Sequence, residues 1–279
     1  MIRPFQTLPA ALSHQRCRHD QGSAHFALAS NVSDTMTALD QLADDIRNAH
    51  HIAVLSGAGM STESGIPDFR SANGLFTGKR SFADVVSIDY FMDDAAGFWA
   101  AFREIFKIKL AGGYQPNAGH AFLADLEKNH GKRVSVLTQN IDGLHHKAGS
   151  DEVLEMHGSL MGATCLFCHT PHDLAWVQQH DVPRCRSCGM VIKPDVVLYG
   201  EAVPLIEPAF ELATQADLLI VMGSSLEVGP VNMIPLEARR AGVQTALINL
   251  SETRLDHAFD VRIEAGIGDT CRRLGDLLA

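Results

Sequence analysis

Short apolar runs recur along this chain at 51–56, 134–138, 153–156, 196–199, 218–222, 245–250 and 261–264, and stretches with helical spacing separate most of them. Runs this short suit strands better than helices. Strands alternating with helices give an α/β fold, a mainly parallel sheet covered by helices on both faces. Helices are predicted over 36–50, 119–129, 204–214, 231–241 and 268–278, the first with Leu39, Leu42, Ala43, Ile46 and Ala49 on one face. From 72 to 115 no strand is legible, and Phe98, Phe102, Ile105 and Phe106 repeat at helical spacing as a core stripe. Ligands of an open parallel sheet bind beyond the carboxyl ends of its strands. That rule sets Gly57, Gln139, His157 and Gly223 on one rim.

The first strand runs into Gly57-Ala58-Gly59. Glycine lets a ligand approach the backbone, and N–H groups at the end of a strand favour a diphosphate. As a dinucleotide fingerprint the stretch is imperfect. Thr62 stands where a third glycine belongs, glycine returns only at Gly65, and no acid-terminated second strand follows at the usual distance. On Gly-x-Gly alone, an ordinary strand-to-loop turn is an open alternative. The continuation through Pro67, Asp68, Phe69 and Arg70 is too particular for a turn alone.

A net charge of −10 disfavours nucleic acid or an anionic membrane as partner of the whole molecule. No apolar run approaches the ~18 residues of a membrane span. Residues 1–35 carry arginines and scattered histidines without periodicity, and a second methionine, Met36, precedes the first helix. They read either as an N-terminal extension or as an over-long start.

The chain has 6 cysteines. Cys165 and Cys168 form one Cys-x-x-Cys pair and Cys185 and Cys188 another, 16 residues apart, which suits four thiolates around a tetrahedral zinc ion. A redox dithiol or an iron site is the alternative. Four protein ligands close a zinc site, so the metal is expected to be structural, in an insert of about 160–192. Cysteine usage of this kind points to a reducing, cytoplasmic setting.

With 57–70, Gln139-Asn140-Ile141-Asp142, His157-Gly158, the paired cysteines, the segment 193–201 and the segment 223–230 in this order, the chain resembles the sirtuins, NAD-dependent protein deacylases. The likeness runs from about residue 36 to the C-terminus. It implies a Rossmann-like large domain (36–71, 116–159 and 193–279) and a small domain built from a helical module (72–115) and the zinc module (160–192), with NAD between them. The resemblance assigns NAD contacts to Gly57, Ala58, Gly59, Ser61, Ile66, Asp68, Phe69, Arg70, Gln139, Asn140, Ile141, Asp142, Gly223, Ser224, Ser225, Asn249, Ser251 and Cys271. Asp142 would hold the nicotinamide carboxamide, and Phe69 would shield the reacting sugar carbon. Val196, Val197, Glu227, Val228 and Gly229 would sandwich an extended acyl-lysine peptide, by backbone pairing that tolerates many sequences.

His157, with Asn140 and Gln139, carries the catalytic assignment. In the family the acyl oxygen attacks the ribose as nicotinamide leaves, and a base then activates a ribose hydroxyl; imidazole is suited to that task near neutral pH. His145 and His146 read as structural. Members that prefer acidic acyl groups carry a Tyr-x-x-Arg pair where Phe102 and Ile105 stand here, so a neutral acyl group, most simply acetyl, is expected. Protein mono-ADP-ribosylation and a non-enzymatic NAD-sensing role are the other readings.

Overall fold

The computed structural model describes residues 37–67, 81–110 and 113–279, with side chains for all but 107–110. Expectations for Asp68, Phe69 and Arg70, and for the N-terminal 35 residues, lie outside the described residues.

The described chain begins in helix α1 (37–48) and enters strand β1 (His51–Ser56), which a 3-10 turn over Ala58–Ser64 follows. The next described elements are α2 (Phe82–Val85), α3 (Ile88–Asp93) and α4 (Ala95–Leu110). Helix α5 (Ala118–Lys128) starts at Asn117, whose side chain accepts from the Gly119 N–H at 2.9 Å, a normal N-cap. Then follow β2 (Arg133–Thr138), α6 (Leu144–Ala148), β3 (Glu152–Glu155), β4 (Gly158–Thr164), β5 (Pro171–Asp173), α7 (Leu174–Gln178) and β6 (Lys193–Val196). The chain closes with α8 (Ile206–Thr214), β7 (Leu218–Met222), α9 (Ile234–Arg240), β8 (Gln244–Asn249), β9 (Val261–Glu264) and α10 (Ile267–Leu278).

Six strands form one parallel sheet in the order β3-β2-β1-β7-β8-β9. The direction of winding reverses between β1 and β7, which makes that gap the topological switch point where such sheets bind ligands. The pleat sorts the side chains. Ile52 and Val54 of β1 join α1, α5 and α10 in one core, while Ala53 and Leu55 join α8 and α9 in a second core on the other face. Burying each of Ile52, Val54 and Leu55 is worth about 1.5–3 kcal/mol. Among the described residues no helix is long and apolar enough to cross a membrane.

One predicted strand is corrected. The run 196–199 does not extend the parallel sheet: β6 ends at Val196 and pairs antiparallel with β4 in a separate sheet of order β5-β4-β6. The cause is the chain reversal at Gly158 (φ 74°), which carries β4 away from the end of β3 and offers β6 a new edge. This second sheet frames the cysteines. Its buried residues Leu160 and Ala163, with Ile192 just before β6, share a third core with Phe98, Trp99, Phe102 and Phe106 of α4. Trp99 Nε1 donates to the Ile192 carbonyl at 2.9 Å, and Phe98 stacks on Phe102. The aromatic stripe is core, as its spacing implies.

Candidate active site

The loops after β1 and β7 meet at the switch point with no side chains between them. Gly57 N donates to Met222 O at 3.0 Å and Gly59 N to Gly223 O at 2.8 Å. A Cβ on Gly59 would lie 2.8 Å from the Gly223 Cα, and one on Gly223 (φ 63°) would lie 2.4 Å from the Met60 nitrogen. These glycines therefore serve backbone-on-backbone packing before any ligand arrives, a reason that Gly-x-Gly spacing alone does not reveal.

A cavity of about 650 Å³ opens beside this crossing. It is lined by Gly57, Ala58, Gly59, Gln139, Asn140, Ile141, His157, Val196, Val197, Gly223, Ser224, Ser225, Glu227, Val228, Gly229, Asn249 and Ser251, so the structure brings these expected residues together. Asn140 is clamped in the cavity floor. Its backbone N–H donates to Thr138 Oγ1 at 3.0 Å, and its side-chain amide donates to Gly57 O at 2.9 Å and Ser61 Oγ at 3.1 Å. Gln139 Nε2 donates to Ser224 Oγ at 2.8 Å, and Asn249 Nδ2 donates to Ser224 O at 3.3 Å and to Ser251 O at 2.8 Å, tying the ends of β2, β7 and β8 into one rim.

His157 follows β3 and faces this cavity. Its Nδ1 lies 3.1 Å from the Gln139 carbonyl, which can only accept, so the proton sits on Nδ1 and Nε2 keeps its lone pair. Burial holds the imidazole below the ordinary histidine value, and the bond to Gln139 opposes that shift. A neutral ring with a fixed tautomer is a ready proton acceptor near pH 7.

Four expected contacts are placed differently. Ser61 is 1 % exposed; its hydroxyl takes a bond from Asn140 and donates to Asp142 Oδ2 at 2.8 Å, so it braces the floor instead of lining it. Asp142 also accepts the Leu144 N–H through Oδ1, and with Ile66 it faces a neighbouring cavity of about 800 Å³ between α6 and the second sheet. The Cys271 thiol packs in the first core at 1 % exposure, where burial drives its pKa upward, and no side-chain contact to a ligand is open to it.

Other lining residues were not expected in the site from the sequence. Phe106 is one, a core aromatic that also forms the cavity wall. Glu63 is another; its Oε1 accepts the Gly268 N–H at 2.8 Å in the first turn of α10. A Cβ at Gly268 would lie 2.0 Å from that carboxylate, a close approach that joins residues far apart in the chain and leaves no local pattern. Phe102 is buried behind the wall, and Arg103 spends its guanidinium on the Val177, His180 and Asp181 carbonyls, so neither arms the cavity for an acidic acyl group.

The four cysteines converge. Sγ of Cys168 lies 3.4 Å from those of Cys185 and Cys188, as does Cys165 from Cys188, and none forms a disulfide. Tetrahedral bonds of about 2.3 Å would hold sulfurs about 3.8 Å apart, so these close pairs need open by only a few tenths of an ångström for one zinc ion to fit. Each pair lies on the same kind of turn. His169 N donates to Cys165 O and Gly189 N to Cys185 O, with His169 (φ 59°) and Gly189 (φ 77°) both left-handed. Among the described residues no histidine shares the cluster, and the buried His172 accepts the Arg186 N–H through Nε2. A four-thiolate set has no open position, which makes it a structural site.

A glycine crossing at the switch point, a histidine of fixed tautomer in the cleft and a closed four-cysteine site describe an NAD-cleaving deacylase of the sirtuin kind. The sequence profile of the Sir2 family matches residues 57–230, and the chain belongs to that family. It is 62 % identical over 243 residues to an NAD-dependent protein deacetylase of Chromobacterium violaceum, covering 87 % of this chain and 99 % of that protein. It is 47 % identical over 238 residues to the Bacillus subtilis protein of the same name, covering 82 % and 96 %. Solved structures agree. A Sir2 bound to a p53 peptide and NAD+ superposes with TM-score 0.74 at 34 % identity, covering 85 % of this chain and 96 % of that one. A Sir2 bound to an acetylated peptide gives 0.75 at 32 % identity, covering 85 % and 97 %.

Proposed function

We propose that this chain is an NAD-dependent protein-lysine deacylase, most simply a deacetylase, that releases nicotinamide and passes the acyl group to ADP-ribose. The observation that carries this reading is His157, a neutral base with a free Nε2 in the cleft at the switch point of the sheet. Bound NAD supplies the activated ribose carbon. Gly57, Ala58, Gly59, Gly223 and Ser224 would hold its diphosphate, Gln139 and Asn140 its reacting ribose, and Asn249 and Ser251 the adenosine. For Asp142 and Ile66 to reach nicotinamide, the ring must enter from the side of the neighbouring cavity. Val196, Val197 and the Glu227–Gly229 segment would take the acyl-lysine peptide. The apolar wall at Val86, Ile141 and Phe106, together with the commitment of Arg103 elsewhere, supports a neutral acyl group.

The domain division extends the same reading: the parallel sheet forms the NAD-binding domain, and the helical and cysteine modules, which share a core, form a second one above the cleft. Free thiols among the described residues support a reducing, cytoplasmic setting. Incubation with NAD and acetyl-, succinyl- and butyryl-lysine peptides, read by mass spectrometry, tests the function. Nicotinamide and O-acyl-ADP-ribose should appear with the neutral peptides and vanish in His157→Ala. ADP-ribosylated protein without deacylation would refute it.

A further inference from the structure

Beyond β6 the chain leaves its ladder and runs along the cleft wall as residues 197–201, where Tyr199 donates to Val86 O at 3.0 Å and accepts the Ile88 N–H at 3.0 Å in a single parallel bridge. One link is Val197 N donating to the His157 carbonyl at 2.9 Å, which ties the segment directly to the histidine of the site. Another is a lysine. Lys193 is 8 % exposed, and its Nζ reaches Pro194 O at 3.1 Å, Val196 O at 2.8 Å and Glu201 Oε2 at 3.1 Å. An ammonium has three donors, and here each has one acceptor, so the group is fully spent. Glu201 in turn accepts the Leu198 N–H at 2.8 Å through the same oxygen. Strand, loop and far end of the segment thus converge on one buried ammonium.

We propose that Lys193 and Glu201 act as one positioning device for the peptide substrate, setting the register of the 196–201 edge against which an extended acyl-lysine peptide lies. This rests on the deacylase reading for the identity of the ligand. Lysine carries the role because one point charge must bond acceptors from three directions. The planar fork of arginine meets that geometry only in part. Lys193 does not line the cavity, so it acts through the backbone it holds and not by touching substrate.

The test uses full-length protein with a fluorescent acetyl-lysine peptide, read by anisotropy, alongside calorimetric NAD binding and turnover. Lys193→Met should weaken peptide binding about tenfold and raise peptide KM by the same factor, while NAD affinity stays within about twofold. Lys193→Arg should recover part of the loss. Should Lys193→Met leave too little folded protein, Lys193→Met with Glu201→Gln removes both charges together and should show the same peptide defect. If the two residues work as a unit, the double variant loses no more than the single. Unchanged peptide affinity, or a parallel loss of NAD affinity, would overturn the proposal. Wild-type protein that binds the peptide without turning it over would refute the deacylase reading and leave the positioning measurement intact; wild-type protein that binds no acetyl peptide would refute both.

Discussion

Acid should destabilise this fold through two histidines that take no part in the chemistry. His120 on α5 and His145 on α6 are buried, at 0 % and 2 % exposure, with ring centroids 4.8 Å apart. His120 Nε2 and His145 Nδ1 have no hydrogen-bond partner among the described residues. Burial holds His120 down to about 4 against a mild upward pull from Asp142. It holds His145 down to about 3, with further lowering from His120 and His146. In the unfolded chain both revert to about 6.5. Below that value the unfolded state binds protons that the folded state refuses, so stability is complete above about pH 6.5 and is lost as pH falls toward the folded pKa values. From pH 7 to pH 5 each histidine contributes a loss of about 2 kcal/mol, roughly 4 for the pair, a large part of a typical stability of about 5–15. Urea unfolding at the two pH values measures it. The zinc thiolates also respond to acid, so the decisive comparison is between variants of equal zinc content. His145→Asn or His120→Asn should each remove about 2 kcal/mol of the pH-dependent drop, whatever it does to stability at pH 7. A drop as large in both variants as in the wild type would refute the reasoning.

The acid limb of kcat/KM should have its midpoint below the ordinary histidine value near 6.5, because burial lowers the His157 pKa and only the neutral ring accepts a proton; a midpoint above 6.5 would contradict the tautomer and burial argument. Gly223→Ala should cost at least about 3 kcal/mol in thermal unfolding and abolish NAD binding, since it combines a left-handed backbone with a Cβ 2.4 Å from the Met60 nitrogen. Removing zinc should change tryptophan fluorescence strongly, because Trp99 bonds Ile192 and Trp176 lies under the Arg186 guanidinium between the two cysteine pairs. Release of one zinc equivalent with no change in emission or unfolding would show that the site does not hold this region together.

The parallel strands were legible because β1, β2, β7 and β8 are buried on both faces and read as nearly unbroken apolar runs. Strand β4 was not, for its sequence includes two glycines and is only partly buried, leaving neither alternation nor an apolar run to read. Strand β6 was misplaced because Lys193, Pro194 and Asp195 carry no apolar pattern, while the apolar residues after them belong to the cleft wall. In the site, the motifs lie on loops that meet at one cavity, but their spacing does not give the directions of the side chains. Ser61, Asp142 and Cys271 lie within recognised stretches, yet the turn over Ala58–Ser64 and the packing of α10 aim them elsewhere. Backbone contacts such as Gly59 on Gly223 join residues far apart in the chain, and local spacing holds no trace of them.

The third core has a consequence for how the molecule is made. Its aromatic half lies on α3 and α4, and its other half comes from residues 160–198, separated in sequence by strand β2 of the parallel sheet. During synthesis, Phe91, Phe98, Trp99 and Phe102 therefore leave the ribosome well before Leu160, Ile192 and Leu198. At about 5–20 residues per second the aromatic face stays uncovered for several seconds. Ordering of that face waits for the second cysteine pair, so a cell short of zinc should accumulate chains that aggregate through their helices while the parallel sheet remains able to form.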